Sequence, residues 1–462
     1  MANFPLVITN TLSGKKEEFL SRKPGEIKLY VCGITPYDYP HIGHGRVYVI
    51  FDVLFRLLKF LGFNVKYVRN FTDIDDKLLK RAQDELSSEF KYKEIADKYI
   101  KAFAENMAQL NCLSPDYEPR VTEVIPEIIL FIDGLIKSGH AYAIDGDVYF
   151  DVSSFSEYGK LSKRDLEDLK CGARVEVDKR KRCPLDFALW KSTPVTLSDS
   201  EVVEEESKGK NTFWESPWGF GRPGWHIECS AMAKTFLGDQ IDIHGGGMDL
   251  IFPHHENEIA QSEGFTNKEF SKYWMHIAFV RVDKEKMSKS LGNFFTLNDV
   301  FQSFDPMVVR FYYLNHSYTS PLDFSFEELC KISKSYQKLC KALEKYDSSK
   351  VLRNDIAESE IGQKMLTFLL DDLNTAGLLG VVFENLKDLD EKSGKIVKAI
   401  LQQLLGLTLE PIAEEKTEIT PKIEKLLSER EQARANKDWK RADEIRDQLK
   451  CMGVEIQDKK LS

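Results

Sequence analysis

Histidine is scarce in this sequence, and long apolar runs and internal repeats are missing. Only nine of the 462 residues are histidine. No apolar run approaches the ~18 residues of a membrane span, and the first residues lack the basic-then-apolar order of a secretory signal. The eight cysteines are scattered without the spacing of a disulfide framework. We therefore expect a cytoplasmic protein with no membrane partner, whose cysteines are free thiols or metal ligands.

An excess of positive charge is also missing. The formal net charge is −10, which argues against a protein that coats nucleic acid nonspecifically. A local basic face remains compatible with this charge, so a nucleic-acid partner is not excluded. The length of 462 residues predicts roughly three domains.

The first part of the chain alternates strands and helices. Residues 26–34 are apolar and β-rich, residues 45–62 have apolar side chains at helical spacing, and residues 64–77 read as a second strand that leads into a loop. This order predicts a parallel sheet, in which ligands bind beyond the carboxyl ends of the strands. Residues 120–212 change to short strands and charged loops before the alternation returns. We therefore predict an α/β, Rossmann-type parallel sheet with an insertion, followed by helices.

Two histidines lie where this helix is predicted to begin. His41 and His44 occupy a glycine-containing turn after the first strand, in "CGITPYDYPHIGHGRVYV". Backbone N–H groups and the helix dipole attract anions at such a position, and imidazoles there can donate hydrogen bonds to phosphate. The alternative is that both are capping or core histidines.

A lysine-rich loop offers a second phosphate-binding candidate. The stretch "DKEKMSKSLGN" places Lys284, Lys286 and Lys289 among small hydroxyl residues. Mobile ammonium groups suit a pyrophosphate leaving group, whose charge grows in the transition state. The alternative is a solvated surface loop, as for most lysine clusters.

Metal ligation is the third candidate chemistry. In "PHHENE", His254 and Glu258 are four residues apart and share one face of a helix, whereas Ile259 holds the position four residues after His255. Cys32 and Cys229 can add sulfur, and a set of two cysteines, a histidine and a glutamate prefers zinc. Buried free cysteines and a helix-capping histidine are the alternative.

The three candidates together resemble one protein family. His-Ile-Gly-His at 41–44 and Lys-Met-Ser-Lys-Ser at 286–290 are similar to the two signatures of class I aminoacyl-tRNA synthetases. The resemblance is specifically to cysteinyl-tRNA synthetases and extends from about residue 26 to 458. It is carried by "CGITPYD", "NFTDIDDK", "YGKLS", "DFALWK", "GWHIECSAM" and "DIHGGGMDLIFPHHENE".

The resemblance implies an activity, its cofactors and its site residues. The chain would activate L-cysteine with ATP and Mg²⁺, then transfer cysteine to the 3′ end of tRNA(Cys), as a monomer with one zinc ion. The catalytic residues would be His41, His44, Lys286 and Lys289, and ATP would also contact Gly43, Gly245, Gly246, Gly247 and Asp249. Zinc would be held by Cys32, Cys229, His254 and Glu258, the amino acid by Thr72, Trp225 and His244, and the anticodon by Arg434, Trp439, Asp443 and Asp458.

Ordinary structural roles are the alternative for several of these residues. The glycines before Asp249 suit a tight turn, Trp225 suits a core position, and the anticodon set suits the charged face of an exposed hairpin.

The same resemblance divides the chain into domains and leaves two rival functions. The implied parts are a Rossmann catalytic domain (1–119 and 213–275), a connective insertion (120–212), a signature-loop and stem-contact region (276–324), a helical bundle (325–410) and an anticodon-binding domain (418–462). One rival is a ligase that passes cysteine to an amino-sugar. The other is a catalytically silent protein that binds tRNA or zinc.

Overall fold

The computed structural model describes residues 5–164, 178–193, 212–282, 285–287, 294–412, 421–436 and 438–451. Its strands are β1 (Val7–Asn10), β2 (Lys15–Glu18), β3 (Glu26–Ile34), β4 (Asn64–Phe71), β5 (Ala141–Ile144), β6 (Asp147–Phe150), β7 (Phe187–Ser192), β8 (Gly221–Pro223), β9 (Ile241–Gly247), β10 (Ser271–Ile277), β11 (Val280–Val282), β12 (Glu285–Lys286) and β13 (Leu322–Phe324).

The α-helices of the same residues are α1 (Ile42–Leu61), α2 (Asp76–Leu86), α3 (Tyr92–Gln109), α4 (Ile125–Lys137), α5 (Trp225–Leu237), α6 (Glu256–Thr266), α7 (Leu297–Phe301), α8 (Pro306–Leu314), α9 (Phe326–Leu343), α10 (Arg353–Glu358), α11 (Glu360–Leu370), α12 (Thr375–Asn385), α13 (Glu391–Gln403), α14 (Pro421–Ala435) and α15 (Trp439–Cys451). No helix in these ranges is both long and apolar enough to cross a bilayer.

A four-stranded parallel sheet carries the site. Its strand order is β10, β9, β3, β4, with Leu29 of β3 opposite Tyr67 of β4 and Ile243 of β9. The run of apolar residues in β3 is buried on both faces, as parallel strands covered by helices require. Helix α1 ends at Gly62, whose φ of 93° lies in the left-handed region that favours glycine. The predicted strand, helix and strand are therefore confirmed, although α1 begins at residue 42 rather than 45, and β4 ends at residue 71, where the predicted loop follows.

A second, antiparallel sheet interrupts the first in the chain. Strands β5 to β8 pair in sequence order, and β8 leads directly into α5, which returns to the parallel sheet. Strands β5 to β7 lie in the segment predicted as an insertion, whereas β8 lies beyond its proposed end at residue 212. That boundary stays a prediction.

Helices and one short sheet complete the described chain. Strands β11 and β12 follow β10 directly and form a small sheet with the later strand β13, and β12 carries Lys286. Arg310 of α8 forms a fully buried ion pair with Asp52 of α1, which ties the helical part to the parallel sheet. The hairpin of α14 and α15 contacts α9 through α15.

Candidate active site

The first turn of α1 is capped by two histidines. Nδ1 of His41, the N-cap residue, accepts from the backbone N–H groups of Gly43 at 3.1 Å and His44 at 3.3 Å. Nδ1 of His44 accepts from the N–H of His41 at 3.2 Å. Because a backbone N–H can only donate, both imidazoles carry their hydrogen on Nε2. Capping therefore selects the tautomer that can donate to a phosphate oxygen.

The two rings also lie in contact. They stack with centroids 3.7 Å apart and planes 20° apart. Burial lowers the pKa of His44 well below its usual value, and His41 adds to the effect. His44 is therefore a neutral hydrogen-bond donor at physiological pH.

The lysine-rich loop begins beside this helix end. Lys286 in β12 pairs with Arg281 in β11, and Met287 lines the same cavity as His41. Lys284 and Lys289 lie outside the described residues, as does the side chain of Lys286, so their predicted roles stay predictions.

The four predicted metal ligands meet although they come from three parts of the chain. Cys32 Sγ lies 3.8 Å from Cys229 Sγ and 3.4 Å from Glu258 Oε1, and His254 Nε2 lies 3.1 Å from the same oxygen. Together these four buried groups could hold a metal ion. His254 and Glu258 are close because they are four residues apart on the turn that leads into α6. Cys32 and Cys229 are close because α5 packs near β3 of the parallel sheet.

Two further histidines join the same cluster. Cys32 Sγ lies 3.5 Å from His244 Nε2 and 3.3 Å from His255 Nε2, and Cys32, Glu258, His244 and His255 form an alternative ligand set. His255 Nδ1 in turn lies 2.7 Å from Nε2 of His276. In the sequence, the spacing marks His255 only as the poorer partner of a helical pair, and it gives no signal for His276.

The chemistry of the cluster fits a cation. Glu258 is fully buried, and its ion-pair partners among the described residues are histidines rather than lysines or arginines. A buried carboxylate needs a positive partner. Burial raises the pKa of the thiols of Cys32 and Cys229, and a metal ion would act in the opposite direction by favouring thiolates. Burial lowers the pKa of His254 well below its usual value, which keeps the neutral form that ligates metals.

The predicted amino-acid-binding residues lie at different depths. Trp225 is 40% exposed, and its ring lies 4.3 Å from the ring of His254, so it is not a core residue. Thr72 is buried but lines the cavity, and its Oγ1 donates to Glu228 Oε2 at 3.0 Å. His244 lies deeper, behind Cys32, with its ring 4.5 Å from that of Trp274.

The three glycines before Asp249 also differ in whether they line the cavity. Gly247 and Asp249 line the cavity. A Cβ on Gly245 would come within 2.1 Å of the Phe51 ring, and one on Gly246 within 2.9 Å of Leu250. Gly245 and Gly246 therefore permit close packing behind the cavity.

One cavity of about 490 Å³ connects the metal cluster to the histidine pair. Cys32, Cys229 and His254 line it near the cluster, and His41, Gly43 and His44 line it at the start of α1. Both lie at the carboxyl ends of parallel strands, where ligands bind in such sheets. An amino acid held by the cluster and a nucleotide held by α1 would therefore meet in one space.

The predicted anticodon residues lie far along the chain, on the hairpin of α14 and α15. Trp439 is 55% exposed at the start of α15, and Arg434 is half-buried in the last turn of α14. Asp443 is exposed and pairs with Arg446 at 2.9 Å. Asp458 lies outside the described residues.

Glu228 is a buried residue of this region that no sequence pattern indicated. This residue is 2% exposed beside the ligand Cys229, and burial raises its pKa well above its usual value. Its position in "WHIECS" carried no periodic signal, because its partner Thr72 is 156 residues away.

Comparisons with known proteins agree with this geometry. A model of the class I (C) tRNA synthetase catalytic domain matches residues 18–334, and a model of the cysteinyl-tRNA ligase anticodon binding domain matches residues 416–461. The chain is 45% identical to a cysteine--tRNA ligase of Trichlorobacter lovleyi and 44% identical to one of Persephonella marina, with 98% of each chain covered in both cases.

Solved structures share the fold at low sequence identity. A Mycobacterium tuberculosis methionyl-tRNA synthetase in complex with methionyl-adenylate has a TM-score of 0.57 and 12% identity, covering 83% of this chain and 92% of that one. The predicted Rossmann-type α/β class is thereby confirmed. Because the two family models match residues 18–334 and 416–461, and the relatives align over 98% of both chains, the chain belongs to the cysteinyl-tRNA ligases among the class I aminoacyl-tRNA synthetases.

Proposed function

We propose that the protein joins L-cysteine to ATP as cysteinyl-adenylate, releases pyrophosphate, and then transfers cysteine to the 3′ end of tRNA(Cys). The observation that carries this proposal is the single cavity that connects a cluster of two thiols, an imidazole and a carboxylate to a helix start with two histidine donors. The carboxylate of cysteine is already nucleophilic, so adenylate formation needs alignment and charge stabilisation more than a base.

His41 and His44 bind the phosphates of ATP in this proposal. Their Nε2–H groups donate at the positive end of the α1 dipole, which favours the negative charge of the phosphates. Lys286 and Lys289 stabilise the departing pyrophosphate, Mg²⁺ accompanies ATP, and Asp249 binds the ribose while Gly247 lets the backbone approach it.

Cys32, Cys229, His254 and Glu258 would hold zinc. A bound zinc ion favours a substrate thiolate over a hydroxyl group, which distinguishes cysteine from its near-isostere serine. The protein's own contribution is orientation: His226 Nδ1 lies 2.9 Å from His254 Nδ1, so Nε2 of His254 is the nitrogen that faces Glu258. Thr72 and Trp225 line the space next to this cluster and bind the amino acid.

Residues 418–462 read the tRNA anticodon in this proposal. Exposed Trp439 stacks on an unpaired base, while Arg434, Asp443 and Asp458 supply hydrogen bonds. The match to an anticodon-binding domain favours tRNA over an amino-sugar as the acceptor. The protein acts as a monomer in the cytoplasm, where the free cysteines of the described chain stay reduced.

Parallel assays with cysteine and serine test this function. We expect pyrophosphate exchange that depends on cysteine, little exchange with serine, and formation of cysteinyl-tRNA. Exchange without transfer to tRNA would instead support the amino-sugar ligase. The absence of exchange in zinc-loaded protein would support a silent homologue.

A further inference from the structure

Glu228 is a buried carboxylate for which the reaction described so far has no use. It lies in the first turn of α5 between Trp225, which lines the cavity, and the metal-cluster residue Cys229. Burying a carboxyl group is unfavourable unless a hydrogen bond or a charge compensates for it. Its Oε2 accepts one hydrogen bond from Thr72 Oγ1 at 3.0 Å.

That hydrogen bond determines what Thr72 presents to the cavity. A threonine hydroxyl has one hydrogen and two lone pairs. Because the hydrogen is donated to Glu228, the remaining capacity of Thr72 Oγ1 is to accept. Asn70 uses little of that capacity, since its Nδ2 lies 3.5 Å from Thr72 Oγ1, at the outer limit of a hydrogen bond. Thr72 therefore offers a lone pair to a donor in the cavity.

The position of this acceptor suits the amino group of a small thiol-containing amino acid. Asn70 contacts both Cys229 and Thr72. Its Oδ1 lies 3.6 Å from Cys229 Sγ, and its Nδ2 faces Thr72 Oγ1. The thiol and the ammonium of cysteine are separated by only two carbon atoms, so a ligand held by sulfur at the cluster has its nitrogen within reach of Thr72.

We propose that Glu228 is a positioning residue for the ammonium group of the amino acid. It takes the hydroxyl hydrogen of Thr72, so that Thr72 accepts a hydrogen bond from the substrate nitrogen. This inference rests on the proposed function, because it assumes that an amino acid occupies the cavity.

The test compares cysteine with 3-mercaptopropionate, which has the thiol and the carboxylate but no amino group. In pyrophosphate exchange, Glu228→Ala should raise the KM for cysteine about tenfold or more, the loss expected for a hydrogen bond to a charged group. Inhibition by 3-mercaptopropionate, the KM for ATP and the zinc content should stay close to wild type. Glu228→Gln should recover most of the affinity, because its amide oxygen can accept the same hydrogen.

A second variant reaches the same bond from its other side. Thr72→Val should raise the KM for cysteine as much as Glu228→Ala does. The KM of the double variant should be little higher than that of either single variant, since both substitutions remove the same interaction. This comparison also decides the matter if Glu228→Ala does not fold. An unchanged KM for cysteine, equal weakening of 3-mercaptopropionate, or a Gln variant as poor as the Ala variant would each overturn the inference. Failure of the proposed function is seen separately, as wild-type protein without cysteine-dependent exchange.

Discussion

The ring of His41 can serve both as a helix cap and as a donor to phosphate. Its Nδ1 caps α1, and that bond leaves the hydrogen on Nε2, where a phosphate can accept it. The capping and phosphate-binding interpretations of this histidine, which look like rivals in the sequence, are therefore compatible. The same holds for His44, whose Nδ1 accepts from the N–H of His41.

The two nitrogens of His41 can be separated by substitution. Asparagine reproduces a capping acceptor but has no group at the position of Nε2, so His41→Asn should fold with nearly unchanged thermal stability. Its rate of adenylate formation should fall about 10²-fold, the usual effect of removing one donor to developing charge. Stopped-flow or quenched measurements of the first turnover would show this.

The matched control is His41→Gln. Glutamine keeps a distal N–H but is a poor cap, so we expect a loss of about 1 kcal/mol in stability and a smaller loss of rate. Equal rate losses in the two well-folded variants would contradict the division of labour between Nδ1 and Nε2.

Cys229 has one predicted task, to bind metal. Cys229→Ser should lower the zinc content of purified protein from about one ion per chain to well below half, since a serine hydroxyl is a poor zinc ligand. Elemental analysis measures this directly. Cys183→Ser, which changes a half-buried free cysteine outside the cluster, should leave the zinc content unchanged. Fully active wild-type protein without metal would argue against the zinc site.

Among the secondary-structure elements, α1 and the pair β11–β12 bring together the two segments that we propose bind phosphate. Arg46 of α1 is fully buried and donates to the carbonyl oxygens of Ala278 and Phe279, which directly precede β11. It also donates to the carbonyl oxygens of Ser317 and Ser320. These bonds hold the start of the lysine-rich segment against the helix that carries His41.

The lysine-rich segment should act on the transition state. Lys289→Ala should lower the rate constant of adenylate formation by about 10²-fold or more, because its cation meets charge that develops on the leaving pyrophosphate. The dissociation constant of ATP should change little. Lys338→Ala, on the exposed surface of α9, is the control for loss of one positive charge. Equal losses in rate and affinity would show that Lys289 binds the ground state as strongly as the transition state.

In the molecule as a whole, adenylate chemistry and tRNA reading are expected to lie in separate parts. The hairpin of α14 and α15 has its own buried apolar side chains, including Ala433, Ala442 and Leu449, and α15 contacts α9. The cavity is lined by residues that all precede position 295.

Truncation after residue 415 should separate the two activities. Cysteine-dependent pyrophosphate exchange should remain nearly intact, because no residue of the cavity is removed. Transfer to tRNA should fall by orders of magnitude, mainly through weaker tRNA binding. Asp443→Ala should do less, since one base contact is worth ~1–3 kcal/mol. Its effect should be larger on the cognate tRNA than on one with a changed anticodon. Normal charging by the truncated protein, or equal failure in both assays, would contradict this separation.

Local sequence patterns determined the elements and the chemistry each one carries. The apolar run of β3, the helical spacing of α1 with its stop at Gly62, and the i, i+4 pair of His254 and Glu258 all depend on neighbours in the chain. Such signals are readable because the period of a helix or strand is short. The signature motifs were equally legible, and they indicated the family.

Tertiary structure alone decided which distant side chains share a site. Cys32 and Cys229 are 197 residues apart and meet because β3 lies in the parallel sheet beneath α5. His255 contacts Cys32 and His276, and Glu228 accepts a hydrogen bond from Thr72. No periodic pattern in the sequence predicts these contacts. The tautomers of His41 and His44 were likewise decided by backbone N–H groups whose direction exists only once α1 has formed. Spacing along the chain limits contacts within one element, whereas contacts between elements depend on how those elements pack.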